Sequence, residues 1–103
     1  MSCGGPRLGG TSPGRTPTKE EQAILDKVKD QFVKQSGTNP SVFKAVLVST
    51  QVVAGTNYFF KVETGANAYS HVKVFVPMPQ KNEGPSLTAL QLNKTKEDKL
   101  FYF

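Results

Sequence analysis

The sequence predicts an α+β domain: an antiparallel β-sheet wrapped across one N-terminal α-helix. Three observations predict it. Ile24, Leu25, Val28 and Phe32 recur at helical spacing early in the chain. A succession of apolar, β-branched and aromatic runs follows from Val42 onward. Turn-forming residues separate those runs at hairpin distance. A chain of 103 residues suits one domain. It can bury roughly two-thirds of its unfolded surface, enough for a single core.

Residues 1–17 are rich in Gly, Pro, Ser and Thr, and Leu8 is their one large aliphatic side chain after Met1. Alone they cannot bury enough apolar surface to order themselves, so they read as a flexible arm before a domain spanning 18–103. Thr18-Lys19-Glu20-Glu21 is a capping-box pattern. It predicts one helix from there to about Ser36, with the apolar stripe inward and Asp30–Lys34 a favourable pair on a more exposed face. Gly37 is placed to stop the helix, and Pro40 prevents its resumption.

Residues 42–50 read as a first strand and 56–64 as a second, with Tyr58, Phe60 and Val62 alternating against Asn57, Lys61 and Glu63. Gly65-Ala66-Asn67 is a turn. A third strand over 69–76 sets Val72, Val74 and Val76 on one face and His71 and Lys73 on a solvated one. Prolines and glycine make 77–86 a loop, and 87–93 a fourth strand. Leu100-Phe101-Tyr102-Phe103 reads as a short last strand whose aromatics pack on the sheet.

The net charge of +5 comes from 13 Lys and Arg scattered along the chain. The bland reading is a solvated surface. The other reading is a small basic nucleic-acid-binding sheet domain, which needs clustered cations and exposed aromatics. No run of residues is long and apolar enough to span a membrane, so no membrane partner is expected. Met1–Gly10 lacks the apolar segment of a secretory signal, and Cys3 is the single cysteine. Both observations point to the cytoplasm. There Asn93-Lys94-Thr95, although a glycosylation pattern, would stay unmodified. Cys3 is either an inert thiol or a redox handle for a linked dimer. No base accompanies it, and His71 has no ligand-spaced partners. No catalytic residue, metal site or cofactor is therefore expected, and the chain does not read as an enzyme.

The unusual segment is Gln51-Val52-Val53-Ala54-Gly55, between the first two strands. Turns favour Gly, Asn, Asp, Pro and Ser, whereas this one holds adjacent β-branched apolar residues. Either it is an apolar turn suited to a protein surface, or Val52 and Val53 are strand residues with the turn at Ala54-Gly55. Gln51 could hydrogen-bond within the hairpin or across an interface. If the helix runs one way and the first strand returns, the helix start lies near the end of that strand. The arm, this hairpin and the 77–86 loop then share one edge, which suits insertion into a cleft. Pro rigidity there reduces the entropy lost on binding.

The run from Gln51 through Thr56-Asn57-Tyr58-Phe59-Phe60-Lys61-Val62, placed after an N-terminal helix, resembles the stefin (type 1 cystatin) family. The resemblance covers nearly everything from Thr18 to Phe103 and is weaker in the arm. It implies the cystatin-like fold and reversible, tight inhibition of papain-like cysteine proteases such as cathepsins. It also implies the binding residues. Gln51, Val52, Val53, Ala54 and Gly55 would form the first loop, and Met78, Pro79 and Gln80 the second. Gly4 would be the arm's glycine, by likeness of Met1-Ser2-Cys3-Gly4 to a stefin beginning. Counting back from the helix without gaps instead puts Gly9-Gly10 there. The expected form is a monomer. If Val53 is strained, the hairpin could open and let strands exchange into a domain-swapped dimer.

Overall fold

The computed structural model describes residues 14–78, 84–100 and 103. In chain order these form α1 (Lys19–Lys27), α2 (Lys29–Ser36), β1 (Lys44–Val53), β2 (Gly55–Gly65), β3 (Ala68–Val76) and β4 (Ser86–Lys94). The strands make one four-stranded antiparallel sheet in the order β1-β2-β3-β4. Leu25, Val28 and Phe32 from the helical layer meet Val48, Phe60, Val62, Val72 and Val74 from the sheet in one buried cluster. Both periodicities of the sequence, near 3.6 and 2, converge on that seam.

The helix begins as its sequence dictates. The Glu21 amide donates to Thr18 Oγ1 at 3.2 Å, and the Thr18 amide donates to Glu21 Oε1 at 2.9 Å. It ends at Gly37, whose left-handed backbone (φ 74°) lets its amide reach the Val33 carbonyl at 2.9 Å. The expected single helix is, however, divided at Val28. There the backbone opens to φ −101° and ψ 8°, and the Val28 amide turns to the Leu25 carbonyl, three residues back, at 3.0 Å. This tightened turn keeps Val28 fully buried between Leu25 and Phe32. No Pro or Gly marks it in the sequence.

A second correction concerns direction. α1 packs on β1 and α2 on β4, so the helical layer crosses the sheet from edge to edge instead of running back along the first strand. Three glutamines make both ends of that crossing polar clasps. Gln22 accepts from the Ala45 amide at 2.8 Å and donates to the Phe43 carbonyl at 3.2 Å, on the free edge of β1. Gln31 accepts from the Leu87 amide at 2.8 Å, and Gln35 donates to the Leu87 carbonyl at 3.2 Å, on the free edge of β4. Each clasp satisfies edge backbone groups that would otherwise invite another strand.

The face of the sheet away from the helices is covered too, against the expectation of a solvated His71. Residues after β4 reverse through a Thr95–Asp98 turn, in which Asp98 Oδ2 accepts from the Thr95 amide at 2.8 Å. They then lie over the sheet. The Lys61 ammonium donates to the Lys96 carbonyl at 2.7 Å, and Leu100 is buried. The Phe103 ring stands edge-on to Phe59 at 5.6 Å. Neither Leu100 nor Phe103 is strand, and Phe101 and Tyr102 of the expected last strand lie outside the described residues. Lys61 and His71, directly opposite each other across β2 and β3, are thereby only 3% and 1% exposed. Among the described residues His71 Nε2 has no hydrogen-bond partner. Among the described residues no helix is long and apolar enough to cross a membrane, and no cluster of metal-ligand side chains forms.

Burial, followed by the nearby Lys61 and Lys94 charges, lowers the His71 pKa to about 4, with Asp98 opposing. The unfolded chain takes up this proton near pH 6.5. The stabilisation from neutral, buried His71 is therefore full above about pH 6.5 and is lost as pH falls toward about 4. The loss should amount to on the order of 3 kcal/mol. Glu21 contributes a separate acid transition. Its pKa is lowered, chiefly by the Arg15 hydrogen bond, so its stabilisation is lost below the ordinary carboxylate range near about 4.3. Denaturant titrations from pH 7 to 3 should show both windows. His71→Phe should flatten the upper one and leave the lower; an unchanged upper slope would refute this assignment.

Candidate functional site

The hairpin joining β1 to β2 resolves the two readings of Gln51–Gly55. Its backbone is strand through Val53, which pairs with Gly55, so the chain reverses around Ala54 alone. Val52 and Val53 are strand residues, yet they are 76% and 45% exposed. Strand geometry and solvent exposure coincide because nothing among the described residues caps this end of the sheet. Gln51 is committed within the hairpin: the Asn57 amide side chain, directly across the ladder, donates to it at 3.3 Å.

Gly55 makes so short a turn possible. Its φ is 129°, a region that side chains rarely enter. A Cβ there would lie 2.5 Å from the Val76 carbonyl oxygen and 2.9 Å from Phe75 Cζ. Only a glycine lets the tip of β1–β2 close onto the end of β3. The positive φ thus belongs to Gly55. Among the described non-glycine residues it occurs at Asn67 and Asn93, so Val53 carries no strain of that kind.

β3 carries the chain to the same end. Val76 pairs with Thr56, Pro77 is buried, and Met78 emerges 44% exposed. The chain re-enters the sheet at Ser86, opposite Phe75. The structure thus brings Gln51, Val52, Val53, Ala54, Gly55 and Met78 to one end of the sheet. Gly4, Pro79 and Gln80 lie outside the described residues, as does Cys3.

The described end of the arm, residues 14–17, is held against β1. Arg15 and Val48 exchange two backbone hydrogen bonds of 2.9 Å, an antiparallel bridge on the free edge of β1. The Arg15 guanidinium also grips both carboxylate oxygens of Glu21, at 2.7 Å for Nη1 to Oε1. One glutamate therefore serves the helix cap and the strap together. Next to that bridge Gly14 has a positive φ of 84° and packs against Leu47 and the Val48 carbonyl. Arg15 and Asn57 are the positioning residues that sequence reasoning missed. The glutamate of the capping box was a partial signal for Arg15; nothing local marked Asn57.

The strand aromatics do not form an open platform. Phe59 and Phe60 are fully buried, Tyr58 stacks on Phe60 at 5.9 Å, and Lys61 is beneath the C-terminal segment. Stacking of unpaired bases would need such rings exposed.

Gly55→Ala should lower stability by about 1–3 kcal/mol, because the methyl group must displace backbone and occupies a disfavoured φ. Thermal or denaturant unfolding measures it. A neutral outcome would contradict the close approach of the hairpin to β3.

Comparison with known proteins agrees with this architecture. Residues 9–100 match the cystatin domain family. The chain is 43% identical to Stefin-C of Bos taurus over 99 residues, covering 96% of this chain and 98% of that protein. It is 45% identical to Cystatin-A of Homo sapiens over 95 residues, covering 92% and 97%. With Cystatin-B of Homo sapiens the identity is 43% over 103 residues, covering both chains completely. From the helix-crossed antiparallel sheet, the Gln51–Gly55 hairpin and these identities, the chain belongs to the cystatin family and is stefin A/B-like.

Proposed function

We propose that this protein is a reversible, tight-binding inhibitor of papain-like cysteine proteases of the cathepsin type. Cystatin-family membership implies cysteine-protease inhibition in general. The observation that carries the finer reading is where apolar surface is left exposed. Of the exposed large hydrophobic residues described, all but Val42 are Val52, Val53 and Met78, at one end of the sheet. Such side chains gain most when a partner desolvates them.

In this reading the Gln51–Gly55 hairpin and the Met78-Pro79-Gln80 loop enter the protease cleft side by side and cover its Cys–His pair. The protein supplies no reacting group and offers no peptide bond in a cleavable position. Strand pairing up to Val53 and the buried Pro77 hold the wedge before binding, which limits the entropy lost. The active form is the monomer, since strand exchange through the hairpin would consume the first loop.

For the arm, Gly4 is the proposed binding glycine, from the likeness of Met1-Ser2-Cys3-Gly4 to a stefin beginning, with Gly9 the alternative. The cytoplasm is the proposed location.

Titration of papain or a cathepsin should show reversible inhibition at micromolar concentration or below. Its absence with the fold intact would end this reading. Removing residues 1–5 should raise the dissociation rate at least about tenfold. An unchanged rate on that removal, with a rise only on removing 1–10, would pass the role to Gly9.

A further inference from the structure

Phe75 is a large aromatic residue that takes no part in the buried cluster beneath the helices. It is half-buried on the opposite face, at the end of the sheet where both loops leave. Its register is informative. Phe75 pairs with Asn57 on β2, and Asn57 holds Gln51 of the first hairpin. On its other side Phe75 pairs with Ser86, where the second loop re-enters the sheet. The residue therefore stands at the neck of the second loop and beside the neck of the first.

The ring makes that position mechanical. Its Cζ and Cε1 approach the Cβ position that Gly55 leaves vacant, at 2.9 and 3.0 Å, so the ring edge rests on the Gly55 backbone. The neighbouring Val76 carbonyl approaches the same point at 2.5 Å. Packed contacts of this kind resist sliding, because a radial gap of even half an ångström forfeits much of the attraction. One ring thus fills the space between the tip of the first hairpin and the strand that delivers Met78.

We propose that Phe75 is a positioning residue that locks the Gln51–Gly55 hairpin and Met78 into one rigid two-pronged wedge. This rests on the inhibitor reading for its functional consequence. Without the ring the prongs move independently, and a protease must order each one on binding. The loss then falls on Met78, whose contact no longer comes pre-aligned with the hairpin.

A double-mutant cycle on the full chain tests this, with papain as the probe. Phe75→Ala should weaken binding by about tenfold, mostly through faster dissociation. The penalty of Met78→Ala should shrink at least about threefold in the Phe75→Ala background, the mark of coupled sites. Phe75→Tyr, which keeps the ring, should bind within about twofold of the parent. Phe75→Leu keeps apolar bulk but not the ring edge. It should behave like Phe75→Ala and replaces it if the alanine variant does not fold. Penalties that simply multiply, or wild-type binding by Phe75→Leu, would overturn the proposal. Amide exchange by NMR gives a readout independent of any protease. Loss of the ring should speed exchange at both Gly55 and Met78 by about tenfold, and unchanged Met78 exchange would also overturn it. A parent protein that fails to bind papain would count against the inhibitor reading alone, and the exchange result would still decide the role of Phe75.

Discussion

Everything in this domain depends on one apolar seam. A four-stranded sheet has no interior of its own, and a short amphipathic helix is not stable alone in water. Leu25, Val28 and Phe32 become a core only when set against Val48, Phe60, Val62, Val72 and Val74. Each such side chain contributes about 1.5–3 kcal/mol on burial. The seam explains why the helical layer tolerates a break at Val28: keeping that methyl pair inside outweighs one regular helical turn. It also fixes the crossing direction, since the stripe must pass over all four strands to be covered.

Polar groups then close what the seam leaves open. Gln22 clasps one sheet edge, and Gln31 with Gln35 clasps the other, so the helices are tied to the strands by hydrogen bonds as well as by packing. Glu21 joins the helix cap to the Arg15 strap, which covers more of the β1 edge. On the far face the C-terminal segment buries Lys61 and His71 side by side. Two potential cations placed directly opposite each other are tolerated because burial keeps the imidazole neutral and a carbonyl receives the ammonium.

These closures leave the end of the sheet bearing Val52, Val53 and Met78. Its exposure reflects how the chain is committed elsewhere: edges clasped, one face under helices, the other under the C-terminal segment. At the same end Gly55 leaves less room for a Cβ than any other described glycine, with the Val76 carbonyl and the Phe75 ring against it. Close packing and exposed apolar surface therefore occur together at this end.

Much of this was legible in the sequence, because the signals are local. Thr18 and Glu21 cap a helix through bonds spanning three residues, Gly37 stops it through its own φ, and alternation over residues 56–64 and 69–76 assigns strand faces. The likeness of Gln51–Val62 to the stefins marked the hairpin. What tertiary structure alone decided involves partners distant in sequence. The division at Val28 follows from the shape of the core beneath it. The burial of His71 follows from a segment some 25 residues later folding over it, which period-2 alternation cannot register. The strap from Arg15 to Val48, the glutamine clasps and the contact of Phe75 with Gly55 each join residues whose proximity exists only once the sheet has formed. Local chemistry determined which elements exist; packing between distant segments determined which of their faces remain free to bind.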